Sequence, residues 1–167
     1  EEGKERINEF VYSVLNLIIT FTSTMSIIII VFSRQILKIT TGFADAQRFE
    51  TANNLLKITA FYFLFIALSG VVSSLLNNYK KFAVAASMGI VFNLTIIIGT
   101  IILGKKMGIY GLGISYLLSG VLQLAIMLPD FFKIMKTYKF TFNLNDKYVV
   151  EMFKLMVPTL IGIFGYQ

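Results

Sequence analysis

From Ile58 to Tyr79 the chain runs 22 residues without a charge, and after Lys80 and Lys81 it runs 23 more, from Phe82 to Gly104. An α-helix rises about 1.5 Å per residue and the hydrocarbon of a bilayer is roughly 30 Å thick, so each run is long enough to cross. A helix in a soluble core keeps a polar face at 3.6-residue spacing, and these runs have almost none. The pattern therefore predicts two antiparallel membrane spans joined by a tight turn, with Asn77, Lys80 and Lys81 at the membrane surface.

The rest of the chain repeats this organisation. A third uncharged run covers Phe10 to Ser33, a fourth covers Met107 to Pro129, and a last one begins at Leu155 and reaches Gln167 after 13 residues. Thirteen residues cover only about 20 Å as a helix, so the last run is expected to be a span cut short. The expected fold is all-α: a polytopic integral membrane helical bundle with spans at about 10–33, 58–79, 82–104 and 107–129, a truncated fifth at 155–167, and amphipathic surface segments at 46–57 and 131–154. Residues 1–167 form one membrane domain in this reading.

Composition agrees, with 56% hydrophobic and 14% charged residues and a mean hydropathy of +0.77. The formal charge of +6 could suggest nucleic acid. However, the 15 basic residues stand singly or in pairs at the ends of the apolar runs, which suits lipid headgroups better. With no cysteine and no histidine, disulfides, thiol nucleophiles, histidine bases and Cys/His zinc sites are excluded. No cofactor or metal is expected. Asp45, Asp130 and Asp146 are the acids an integral-membrane enzyme could use, and no two are close enough in sequence to argue for a shared site.

Several residues inside the spans are polar. Ser13, Asn16, Thr20 and Ser23 recur at three- and four-residue steps and so share one side of a helix. They either bond to a neighbouring helix or line a hydrated cavity. Asn93 sits mid-span with the same two readings. Gly111, Ser115 and Ser119 follow at four-residue intervals, where small side chains let helix backbones approach, so this face is expected to pack. Before the second span, Gly42 is a candidate helix stop and Asp45 a candidate N-cap for a helix starting at Ala46.

Two motif matches carry no function. Asn93-Leu94-Thr95 fits a glycosylation sequon but lies at the expected bilayer midplane. Gly99 with Gly104-Lys105 imitates a phosphate-binding loop, yet Lys106 replaces the required Ser or Thr and the soluble strand-to-helix context is missing.

Basic residues also predict orientation. Nine lie in the amino-terminal tail, the 80–81 turn and the connection after Pro129, and six lie on the other side. The side with nine is expected to be cytoplasmic.

Taken in order, Gly42-Phe43-Ala44-Asp45, Leu76-Asn77 with Tyr79 to Val84, Asn93, Leu122-Gln123-Leu124 with Leu128-Pro129, and Pro158 with Leu160-Ile161-Gly162 resemble the MurJ (MviN) lipid II flippases. These belong to the superfamily of multidrug, oligosaccharidyl-lipid and polysaccharide exporters. The resemblance implies that the chain supplies the third to the start of the seventh of about fourteen helices, within the amino-terminal lobe of an alternating-access transporter.

It also implies a bacterial inner-membrane location, lipid II and membrane lipids as partners, and the remaining helices of the same polypeptide as neighbours. No nucleic acid and no catalysis are implied. The family's cavity arginines fall on helices outside this chain, so Asn16, Thr20, Ser23 and Asn93 are the candidate substrate contacts. The family commonly has proline where Thr41, Phe61, Ala85 and Gly89 stand here, which predicts straighter second and third spans. The alternatives are another exporter of the superfamily or a non-transporting membrane scaffold.

Overall fold

The computed structural model describes residues 2–42, 45–135, 148–152, 154–156 and 158, with side chains from Arg6 onward. The elements are α1 (Glu2–Val31), α2 (Ser33–Thr40), α3 (Ala46–Asn78), α4 (Phe82–Met107) and α5 (Ile109–Ile134). Helices dominate because a chain in hydrocarbon must satisfy its backbone N–H and C=O groups within the segment itself. Four of them, α1, α3, α4 and α5, are long and apolar enough to cross a membrane.

The residues fall into two compact units. One consists of α1 through Leu17 with the helical residues from 148 onward, and the other runs from Ile18 through α5. The expected truncated span at 155–167 lies largely outside the described residues, although 154–156 and 158 are helical.

The helix boundaries follow from local chemistry. Asp45 accepts the Gln47 N–H at 2.8 Å and caps α3, as its position before Ala46 suggested. From that cap α3 continues for 33 residues, about 50 Å, so the charged segment from Ala46 to Lys57 is the first part of the spanning helix.

Gly42 does not stop α2. The helix ends at Thr40, and Thr41, in an extended conformation, closes it by bringing both its N–H and its hydroxyl to the Leu37 carbonyl, at 2.8 and 2.7 Å. Two donors from one residue satisfy that orphan carbonyl, so no left-handed glycine is needed.

Two span limits move. The first apolar run does not form one helix to Ser33: α1 stops at Val31, Phe32 intervenes, and α2 restarts with Ser33 and Leu37 buried while Arg34, Gln35, Lys38 and Ile39 are exposed. At the other end, α5 passes through Pro129 to Ile134. Proline removes one backbone donor, but Phe131 and Met135 are buried beyond it, at 4% and 1% exposure, and hold the last turn in the protein. Phe61, Ala85 and Gly89, where the resemblance led one to expect proline, sit inside α3 and α4.

In the second unit α5 is the spine. A Cβ on Gly111 would collide with the Leu103 carbonyl and the Gly104 N of α4, and one on Gly99 of α4 would meet the Ser115 Oγ at 2.5 Å. Ser115 and Ser119 are fully buried along the same stripe. On its other side, Gly113 admits Leu55 of α3 and Gly120 admits the Tyr62 ring. Tyr62, Phe92 and Tyr116, one from each of α3, α4 and α5, close this junction with ring centroids 4.4 to 5.8 Å apart. Such aromatic pairs are worth about 0.5–1.5 kcal/mol beyond the area they bury.

Candidate functional site

The polar residues singled out in the first span separate in the structure. Ser13 and Asn16 are buried, at 6% and 1% exposure, in the first unit. Thr20 is exposed and Ser23 half-buried, both in the second unit. The face turned inward along this part of α1 is instead Thr22 and Ser26, at 3% and 4% exposure. Ser26 Oγ donates to the Ala60 carbonyl of α3 at 2.8 Å, a hydrogen bond between spans that periodicity did not reveal. Its signal was available in the sequence, since Ser26 lies four residues after Thr22 and so shares its helix face.

Asn93 is exposed, and its Nδ2 donates to the Gly89 carbonyl one turn back on its own helix, at 2.8 Å. Among the described residues its side-chain bond is thus within α4 and not to a neighbouring helix. The same solution recurs along the spans: Thr22 bonds Ile18, Thr24 bonds Thr20, Thr59 bonds Leu55, Thr95 bonds Val91 and Ser115 bonds Gly111. A side-chain hydroxyl that returns to the i−4 carbonyl meets its requirement without a neighbouring helix or water. Sequence reasoning offered a partner helix or a cavity, and the backbone of the residue's own helix was the third possibility.

The α3/α4 hairpin is tightly built. Lys80 takes a left-handed φ of 59°, its N–H reaches the Asn77 carbonyl at 3.0 Å, and the Lys81 N–H reaches Leu76 at 2.8 Å. These two bonds close the carbonyls at the end of α3 in a Schellman turn. The turn also aims Lys81 at α5, where its Nζ stands 3.7 Å from Asp130 Oδ1, with Lys133 Nζ at 3.4 Å from the same oxygen.

Asp130 is mostly buried, at 18% side-chain exposure, while both lysines are exposed. One carboxylate with two ammonium groups leaves this end of the bundle net positive, suited to anionic headgroups. Asp130 was legible only as an isolated acid, because its partner Lys81 lies 49 positions earlier. At the opposite end, Arg34 of α2 pairs with Glu50 of α3 at 2.6 Å across an exposed surface.

Among the described residues, the buried Asn53 Oδ1, Ser69 Oγ and Thr100 Oγ1 have no hydrogen-bond partner. They lie on α3 and α4. Among the described residues no group of three His, Cys, Asp or Glu could hold a metal ion. The described residues offer a positively charged rim, exposed apolar faces and several polar side chains bonded to their own helix.

Comparison with known proteins points one way. The family model of the lipid II flippase MurJ matches residues 1–167. A probable lipid II flippase MurJ of Buchnera aphidicola subsp. Schizaphis graminum is 31% identical over 99% of this chain and 33% of its own length. Its counterpart in Rickettsia prowazekii is 29% identical over 96% of this chain and 32% of its length. The Vibrio cholerae protein is 32% identical over 73% of this chain and 24% of its length. The chain thus spans about a third of the length of the first two relatives. No solved structure matches it significantly.

Proposed function

Because the chain belongs to the lipid II flippase MurJ family, we propose that it forms part of the wall of a transporter that moves a lipid-linked cell-wall precursor across the bacterial cytoplasmic membrane. The chain itself is a multi-pass membrane segment. The single observation that carries the proposal is the family match along the entire chain, interrupted nowhere by a foreign domain.

The physical task of such a transporter is to keep a pyrophosphate and sugars out of hydrocarbon while the lipid tail stays in it. This segment contributes scaffold to that task. Its α5 spine, closed on α4 by Gly111 and Ser115 and on α3 by Gly113 and Gly120, moves as one piece in a rocking transition. The Lys81–Asp130–Lys133 cluster ties the hairpin to the end of α5, on the side that the excess of basic residues assigns to the cytoplasm.

Cations that clamp the pyrophosphate come from other helices of the polypeptide. Asn16, Thr20, Ser23 and Asn93 remain the candidates for contact with the sugar or peptide portion. Transport by positioning and alternating access involves no covalent step, so the protein is not an enzyme in this reading.

One observation favours a second reading, a membrane scaffold that transports nothing: Asn93, Thr95 and Thr24 satisfy their polar groups on their own helices. The same experiment separates the two. Bacteria depleted of their own lipid II flippase are supplied with the full polypeptide that contains this chain, and growth and precursor accumulation are followed. Restored growth with a fall in accumulated lipid II supports the transporter. Failure to rescue, with the protein present in the membrane at normal abundance, would refute it and leave the scaffold.

A further inference from the structure

The unit formed by the start of α1 and the helical residues after 147 contains a cavity of about 610 Å³, within the size range of small-molecule sites. Among the described residues its wall has two characters. Ile7, Phe10, Met152 and Leu155 supply apolar surface, whereas Arg6 and Glu151 supply opposite charges. Although both line the same cavity, no ion pair joins Arg6 to Glu151 among the described residues.

Arg6 is held in place from one side. Its guanidinium carbon lies 5.8 Å from the centroid of the Tyr148 ring, and that ring is braced edge-on by Phe10 at 6.2 Å. A guanidinium held over an aromatic face keeps its planar fork of N–H donors, which matches the oxygens of a phosphate. The Glu151 carboxylate, an acceptor only, matches an ammonium group instead.

Depth completes the argument. Arg6 stands four residues, about 6 Å along the helix, before Phe10, where the uncharged run of α1 begins. The charged pair thus lies at headgroup level and the apolar wall descends towards acyl-chain level.

We propose that this cavity seats a single membrane phospholipid with a zwitterionic, primary-ammonium headgroup, its phosphate on Arg6, its ammonium on Glu151 and one acyl chain along Ile7, Phe10 and Leu155. An anionic lipid without an amine would meet Arg6 equally well but would face Glu151 as a like charge. The site is independent of transport, and its occupant bridges the start of α1 and the helical residues that follow 147.

The test uses the absence of tryptophan from these 167 residues, with any tryptophan elsewhere in the polypeptide replaced by phenylalanine. Phe10→Trp places one fluorophore in the cavity wall. The full polypeptide that contains this chain is reconstituted in phosphatidylcholine vesicles doped with increasing fractions of bromine-labelled phosphatidylethanolamine or bromine-labelled phosphatidylglycerol, and quenching is recorded.

The expected result is half-maximal quenching at a mole fraction of phosphatidylethanolamine at least threefold below that of phosphatidylglycerol. Glu151→Gln should erase that preference, and Arg6→Gln should move both curves to higher lipid fractions while Arg6→Lys restores them in part. Superimposable curves for the two lipids, unchanged in Glu151→Gln, would mean ordinary annular contact and would overturn the proposal. So would the absence of quenching by either lipid, which would mean that protein covers the cavity. Because the Glu151 variant reports on its own, a folding defect in the Arg6 variant, visible as lost helical circular dichroism, leaves the proposal open to refutation.

Discussion

Replacing Gly111 by alanine adds one methyl group where the structure has no room for it. That Cβ would overlap the carbonyl carbon and oxygen of Leu103 and approach the Gly104 N to 2.6 Å, all of them backbone atoms of α4. Ordinary contact begins at 3.4 Å, so α5 must withdraw from α4 by about 1 Å. A gap of that size forfeits a quarter to a half of the dispersion energy of each atom pair along the Gly111–Ser115 stripe.

Overpacking of this kind costs about 1–3 kcal/mol, and the upper end applies because a backbone cannot turn aside as a side chain can. Alanine regains roughly 1 kcal/mol through its better helix propensity. The net loss is therefore about 2 kcal/mol, a shift of roughly 30-fold in the folding equilibrium.

The assay is reversible unfolding in mixed micelles, titrated with a denaturing detergent and followed by helical circular dichroism. Gly89→Ala is the control, because a Cβ there has nothing within 4 Å, and it should be neutral or up to about 1 kcal/mol more stable. If the two alanine variants unfold together, close approach of α4 and α5 at Gly111 does not stabilise the bundle and the packing argument is wrong.

Three further perturbations test the turns and the span contacts. Gly108 joins α4 to α5 as a single residue at φ 58° and ψ −135°, a conformation that a side chain resists, so Gly108→Ala should cost about 1–3 kcal/mol in the same titration. Lys80 occupies a left-handed position without being glycine, and Lys80→Gly should stabilise the hairpin by about 0.5–1 kcal/mol; a loss of stability would show that the lysine side chain outweighs the strain. Ser26→Ala removes the hydrogen bond to Ala60 and should cost about 0.6 kcal/mol, whereas Thr24→Ala, which removes only a bond within α1, should change stability by less.

Much of the fold was readable because hydrocarbon imposes a length and a composition that a single sequence displays directly. The turn at Lys80 and Lys81, the cap at Asp45 and the packing stripe at Gly111, Ser115 and Ser119 all rest on interactions local in sequence, or on one helix face. The candidate site was less legible. Asn93 and Ser23 look alike on paper whether they meet another helix, water or their own backbone, since all three options begin with the same polar residue in an apolar run.

Long-range pairs were invisible for a different reason. Lys81 with Asp130 and Ser26 with Ala60 depend on which helices become neighbours, and nothing in either local window encodes that.

By itself, then, the sequence determined that this protein lies in a membrane, the cap at Asp45 that starts α3, the turn at Lys80 and Lys81 that ends it, and the order of its connections. Uninterrupted apolar length and end caps act within one helix and need no partner. Only the tertiary structure decided that α5 is the spine, that its second face carries Gly113 and Gly120 for α3, and that one carboxylate at Asp130 gathers two distant lysines. In lipid, where tails are as apolar as leucine, helix choice depends on shape fit and a few hydrogen bonds between faces, and shape becomes defined only when the faces meet.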